Sequence, residues 1–160
     1  MRANLDDPAH QQAVLAMVNA YARDPMGQGR DLPETVQRDL VPGLRRHPTT
    51  LIFLAYDGER PIGVAVCFVG FSTFAARPLV NIHDLSVVAG YRGQGVGRRL
   101  LERVESAARE LGCAKITLEV NADNVGAQHL YRRFGFRGGG SGDDLNRVWF
   151  LQKRLTPAGS

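Results

Sequence analysis

The residues that could do chemistry in this chain fall into one glycine-rich run and a few isolated polar groups. Arg92-Gly93-Gln94-Gly95-Val96-Gly97, followed by Arg98 and Arg99, stands where an apolar strand pattern gives way to an amphipathic helix pattern. The unpaired N–H groups of a first helical turn carry the positive end of the helix dipole, so such a passage binds anions. Alternating glycines let successive amides approach a diphosphate without side-chain obstruction. Arginines at that end are disfavoured by about 0.3–1 kcal/mol each, and the next acid along the chain is Glu102. A bound polyanion would reverse the penalty. Tyr131 carries a phenol whose ordinary pKa, near 10, keeps it protonated at neutral pH and able to donate, although it also shares a helix face with Leu130 and Phe134 as a core aromatic would. His83 and Asp84 close a strand and could accept a proton or anchor an ammonium. Strand alternation sends them to opposite faces unless a bulge intervenes. Glu119 sits in an expected central strand, where a carboxylate is costly to bury unless paired, so it is either a site residue or a partner for Lys115 or an arginine.

Two familiar phosphate-binding readings fail on spacing. A P-loop requires a Gly-Lys-Ser/Thr ending, and neither the lysine nor the hydroxyl is present. A dinucleotide fingerprint counted from Gly93 and Gly95 needs a third glycine where Arg98 stands. Cys67 and Cys113 lie in or beside apolar runs, without the number or spacing of a disulfide framework or a zinc site, and are expected to be reduced core residues. No metal site is expected.

The elements that must position these groups follow from periodicity. Pro8 to Arg23 places Val14, Leu15, Val18 and Tyr21 on one helical face, with Asp7 as N-cap. Residues 24–31 form a mobile loop, suited to be a substrate rim, and Pro33 opens a second helix carrying Val36, Leu40 and Leu44. Leu51–Tyr56 and Pro61–Ser72 are strands joined by the hairpin turn Asp57-Gly58. Leu79–Val88 is a third strand, the glycine turn leads into a helix ending at Leu111, and Gly112 stops it. Lys115–Val120 is a strand, Val125–Phe134 a short helix, and a final strand pair is interrupted by the glycine-rich loop 138–144 before Arg147–Leu155. Phe68, Phe71 and Phe74 are expected in the core, or else lining an acceptor pocket. The order implies an α/β (α+β) domain with a mixed, mostly antiparallel sheet, one parallel βαβ crossover from Leu79 to Val120, and flanking helices.

The strand end Leu85-Ser86-Val87, the turn Tyr91 to Gly97, then Asn124-x-x-Ala127-x-x-Leu130-Tyr131 and Gly135-Phe136 together resemble the signature of the GNAT superfamily of acetyl-coenzyme A dependent N-acetyltransferases. The likeness is specific from about Leu79 to Phe136, and the flanking elements fit the family's layout without carrying motifs. It implies a single domain over 1–160 whose two central parallel strands splay apart. In the family's arrangement the amides from Arg92, Gly93, Gln94, Gly95, Val96 and Gly97, helped by Arg98, would hold the coenzyme's diphosphate. The backbones of Leu85 and Val87 would pair with its pantetheine arm, and Asn124 would contact that arm. Tyr131 would lie near the sulfur as proton donor. Asp84 is the expected base or ammonium anchor, with Glu119 as a further candidate. The implied reaction is acetyl transfer from acetyl-CoA to a primary amine by direct attack. A non-catalytic coenzyme A sensor is the alternative.

Composition bounds the rest. With 160 residues and 44% hydrophobic residues, the chain fits one ordinary folded domain. Its formal charge of +4 rests on 20 basic residues, of which only Lys115 and Lys153 are lysine. Arginine's planar fork suits phosphate, yet the arginines are scattered and no stacking aromatics accompany them, so nucleic-acid binding is disfavoured. No apolar run is long enough to span a membrane and no signal-peptide layout is visible, which points to the cytoplasm. The expected partners are acetyl-CoA and an unidentified amine, and a homodimer is compatible with the family.

Overall fold

A computed structural model describes residues 1–139 and 147–156. Helices α1 (Pro8–Arg23) and α2 (Glu34–Arg46) come first, followed by strands β1 (Thr50–Asp57), β2 (Arg60–Ser72) and β3 (Arg77–Val87). A 3₁₀ turn over Ala89–Tyr91 leads to α3 (Val96–Glu110), β4 (Lys115–Asn121), α4 (Val125–Phe134), β5 (Arg137–Gly138) and β6 (Val148–Arg154). The strands form one sheet in the order β1-β2-β3-β4-β6-β5, in which only β3 and β4 run parallel.

The α1 start follows its chemistry: Asp7 accepts the Ala9 N–H at 2.9 Å and Pro8 takes the first helical position. In α2, by contrast, Pro33 is the N-cap and not the first helical residue. Pro42 lies inside that helix, where it can donate no backbone bond.

Both faces of β1 and β2 are covered, which explains why they read as unbroken apolar runs. Ile52, Leu54, Val64 and Val66 pack against Val14, Met17 and Leu44 of α1 and α2. Leu51, Phe53, Ala65 and Cys67 face the other way, into a core shared with Leu100, Leu101 and Val104 of α3 and Phe136. Cys67 and Cys113 are both buried free thiols, as expected.

The aromatic run of β2 behaves otherwise. Phe68 is half-buried, but Phe71 and Phe74 are exposed, because the long β2–β3 hairpin carries them beyond the reach of either helical layer. They are neither core nor pocket residues. Most of the expected glycine loop, from Gly140 onward, lies outside the described residues.

The sheet is forked at its centre. β3 and β4 pair only at Val80–Ile116, Asn81–Thr117 and Ile82–Leu118, and the middle one of these contacts is tied by Asn81 Nδ2 donating to Thr117 Oγ1 at 2.9 Å. On the other side of β3, Val66 faces Asp84 while Cys67 faces Ile82, so His83 is an extra residue, a β-bulge. A bulge bends and twists its strand. β3 leaves β4 at that residue while keeping its pairing to β2 as far as Val87.

Candidate active site

The bulge and the fork decide which backbone groups remain unpaired. Val88 N–H donates to Ile62 O at 2.9 Å. Antiparallel alternation therefore directs the backbone groups of Ser86 and Asp84 toward β2, and those of Val87 and Leu85 into the fork. The fork encloses a cavity of about 400 Å³, bordered by Leu85, Glu119, Asn121, Asn124 and Tyr131 among others. A larger cavity of about 460 Å³ lies between the N-terminal segment and the end of α2 and holds none of the expected site residues.

At the mouth of the fork stands the glycine turn. Gly93 and Gly95 adopt φ of +76° and +83°, left-handed values that an L side chain avoids. Gly97 is needed for a different reason: a Cβ there would come within 2.9 Å of Leu130 Cδ2, where α3 crosses α4. The first α3 amide to reach a carbonyl is that of Arg99, bonded to Gly95 O at 3.1 Å. Those of Val96, Gly97 and Arg98 precede it and head the helix without an intrahelical acceptor. Space above Gly93 and Gly95 is open, so the turn has the conformation, the donors and the room for a diphosphate. Gly95→Ala is expected to lower folding stability by about 1–2 kcal/mol, since the strain lies in the backbone and not in a clash, and to weaken coenzyme A binding with it. Urea denaturation and a coenzyme A titration of the same variant check both.

The arginines are less available than their spacing suggests. Arg92 Nη2 pairs with Asp24 at 2.5 Å, and its Nε donates to Val87 O at 3.0 Å. Its own amide already leans on Ala89 O at 3.4 Å. Asp24 thus supplies the compensating acid from 68 residues away, and Arg92 acts as a clamp between the loop after α1 and the edge of β3. The guanidinium holds the Asp24 carboxyl below its usual range. Arg98 pairs with Glu102 at 3.3 Å and lies over the Phe134 ring. Among the described residues, Arg99 has no ion-pair partner.

Tyr131 is 6% exposed and borders the fork cavity. Its ring packs edge-on to Phe136, with centroids 5.7 Å apart, so it belongs to the core and to the cavity at once. Burial, then the charges of Tyr21 and Asp84, push its pKa well up. The phenol stays protonated. Asn124 caps α4 by accepting the Ala127 N–H at 3.2 Å, which leaves its amide nitrogen for the cavity it borders.

Asp84 and Glu119 differ in burial. Glu119 is exposed, not buried, because β3 has already left β4 where it stands. Lys115 bonds Gln152 instead. Asp84 is half-buried, and no hydrogen-bond donor among the described residues reaches it. Burial raises its pKa, with nearby His83 pulling the other way. It lines a second cavity, of about 380 Å³, on the α1–α2 side of the sheet. The bulged His83 and Tyr21 border both cavities and so mark where they meet.

Sequence reasoning missed Tyr21, whose helical spacing reads as plain core. Its hydroxyl pKa is raised by burial and by the charges of Asp84 and Asp24. The loop expected to be mobile is pinned. Gln28 and Arg30 donate their amides to Ala22 O, Leu32 donates to Asn19 Oδ1, and Arg23 pairs with Asp31.

The comparisons with known proteins point one way. Residues 14–136 match the Acetyltransferase (GNAT) family. The chain is 37% identical over 86 residues to the N-alpha-acetyltransferase MAK3 of Arabidopsis thaliana, covering 54% of this chain and 44% of that protein. It is 41% identical over 87 residues to the streptothricin acetyltransferase of Streptomyces lavendulae, covering 54% and 43%. The chain thus spans about half the length of the curated relatives it matches. A solved structure of a probable acetyltransferase superposes with a TM-score of 0.74 at 26% identity, covering 86% of this chain and 88% of that one. A ribosomal-protein-alanine N-acetyltransferase from Brucella melitensis shares the fold at a TM-score of 0.71 and 21% identity, covering 97% and 98%. A forked sheet with a glycine turn at its mouth, and a sequence match that runs through both, have the same explanation: the chain belongs to the GNAT family of acetyltransferases.

Proposed function

We propose that the protein transfers an acetyl group from acetyl-CoA to a primary amine by direct attack, acting as a single domain. The observation that carries the reading is the meeting of two cavities at the His83 bulge: one lies in the fork, bordered by Leu85, Asn124 and Tyr131, with the amide-rich turn beside it at the Val87 end of β3, and the other holds a half-buried carboxylate. The first suits a donor with a diphosphate and a strand-like amide arm. Acetyl-CoA supplies an activated thioester.

Each residue then has a task. The amides of Gly93 to Arg98 would hold the diphosphate, and the backbone of Leu85 and the N–H of Val87 would pair with the arm, the Val87 carbonyl being held by Arg92. Asn124 would donate its free amide nitrogen to it. The Tyr131 hydroxyl would donate its proton at the departing sulfur. An amine attacks only when neutral, so a proton must leave its ammonium. Asp84 is the base that the reading assigns, directly or through water. Glu119 borders the donor cavity from the solvent side, where it would steer the acceptor and not abstract a proton. Two buried unpaired thiols fit a reducing compartment, and no described helix is long and apolar enough to cross a membrane. The reduced thiols are the ground on which we assign the activity to the cytoplasm.

Thiol release from acetyl-CoA, measured across small amines, amino acids and peptides, tests the reading. Amine-dependent release is expected. Coenzyme A binding without release for any amine would replace the enzyme with a sensor.

A further inference from the structure

The second cavity says more than that an amine is accepted. Its walls are Val18, Leu32, Val36, Leu40 and Phe68, and the only carboxylate among the described residues that line it is Asp84. The two acids of the adjoining loop are taken, Asp24 by Arg92 and Asp31 by Arg23. A second ammonium in this cavity would lose its water with no second carboxylate among the described lining residues to receive it, which is costly. An apolar group would gain by contact with the same walls.

We infer that the acceptor is a primary monoamine borne next to an apolar group, its nitrogen at Asp84 and its apolar group against Val36, Leu40 and Phe68. The inference rests on the acetyl-transfer reading and narrows its acceptor. Such an amine exists as a small molecule or as the end of a peptide with an apolar first side chain. The chemistry at the cavity is the same for both.

The test compares phenethylamine and the peptides Leu-Gly-Gly and Asp-Gly-Gly with spermidine and kanamycin, by thiol release at fixed acetyl-CoA. Phenethylamine, Leu-Gly-Gly or both are expected to exceed the polycations in kcat/KM by at least tenfold, and Leu-Gly-Gly to exceed Asp-Gly-Gly; the ratio of the first two tells which source is preferred. Calorimetry of phenethylamine with the protein alone gives a readout independent of turnover, and spermidine is expected to give no comparable heat. Val36→Asp adds a charge to the cavity wall. Val36 is 40% exposed and lies in the first turn of α2, where an acid suits the helix dipole, so the variant should keep its fold. Its KM for phenethylamine is expected to rise at least tenfold and its KM for spermidine to fall. Spermidine or kanamycin preferred by the parent protein overturns the inference and leaves acetyl transfer standing. The absence of release with every amine tried overturns both.

Discussion

Tyr131→Phe is expected to lower kcat by about 10²- to 10⁴-fold, the range a positioned proton donor contributes, while coenzyme A binding stays within a few fold. The hydroxyl reaches no other described residue, and the ring is held by Phe136 and by the core around it. Removing the oxygen therefore leaves no protein partner unsatisfied, and the fold should be as stable or slightly more so. Burial and the neighbouring Tyr21 and Asp84 charges raise the phenol's pKa, so the hydroxyl remains a donor throughout the neutral range and puts no basic limb on the rate there. Thiol-release kinetics, a coenzyme A titration and thermal unfolding of the variant check the three statements. A kcat equal to that of the parent protein would remove the donor role.

Asp84→Asn is expected to separate activity from stability. As the base, the carboxylate must be ionised to accept a proton, and its loss should lower kcat/KM by at least about 10²-fold. The acid limb of the parent's pH profile should follow Asp84 and lie above the usual carboxylate range, because burial raises this pKa. The same burial makes the ionised side chain a cost to folding. The folded state holds the Asp84 proton more tightly than the unfolded chain does, so the cost is absent below the unfolded value of 3.8. It grows as pH rises toward the folded pKa and is constant above it. Asn removes it. The variant should therefore unfold near the parent's midpoint at pH 3 and at a higher temperature at pH 7. Equal midpoints at pH 7 would mean that the carboxylate is not strained by burial. Such a gain in stability with a loss in activity is what a functional charge in a poorly solvated place produces.

How much of this was legible in the sequence depends on the range over which each feature is determined. The α1 cap, the Asp57-Gly58 hairpin and the glycine turn are local, written by residues within a few positions of one another. The alternating and unbroken apolar runs likewise made the sheet and its one crossover readable. The Arg92–Asp24 clamp joins residues 68 positions apart, and no local rule pairs them. The His83 bulge follows from pairing with β2, which a strand's own pattern does not contain. The exposure of Glu119 is illegible for that reason, since it depends on β3 having turned away at the bulge. Phe71 and Phe74 were misjudged because composition does not say how far a hairpin runs past the layers that would cover it. Tyr21 is the most instructive omission. Its spacing is that of a packing residue, and only the approach of α1 to the fork places it between two cavities.

The fork also divides the molecule by the kind of group that does the recognising. On one side the available partners are main-chain N–H and C=O groups, which almost every amino acid carries, so most substitutions along β3 beyond the bulge leave them in place. On the other side the surface consists of side chains from α1, α2 and β2, each of which a single mutation replaces. Drift would thus preserve what the donor half can hold while rewriting what the acceptor half prefers. A scaffold built this way can acquire new acceptors without having to reinvent its donor.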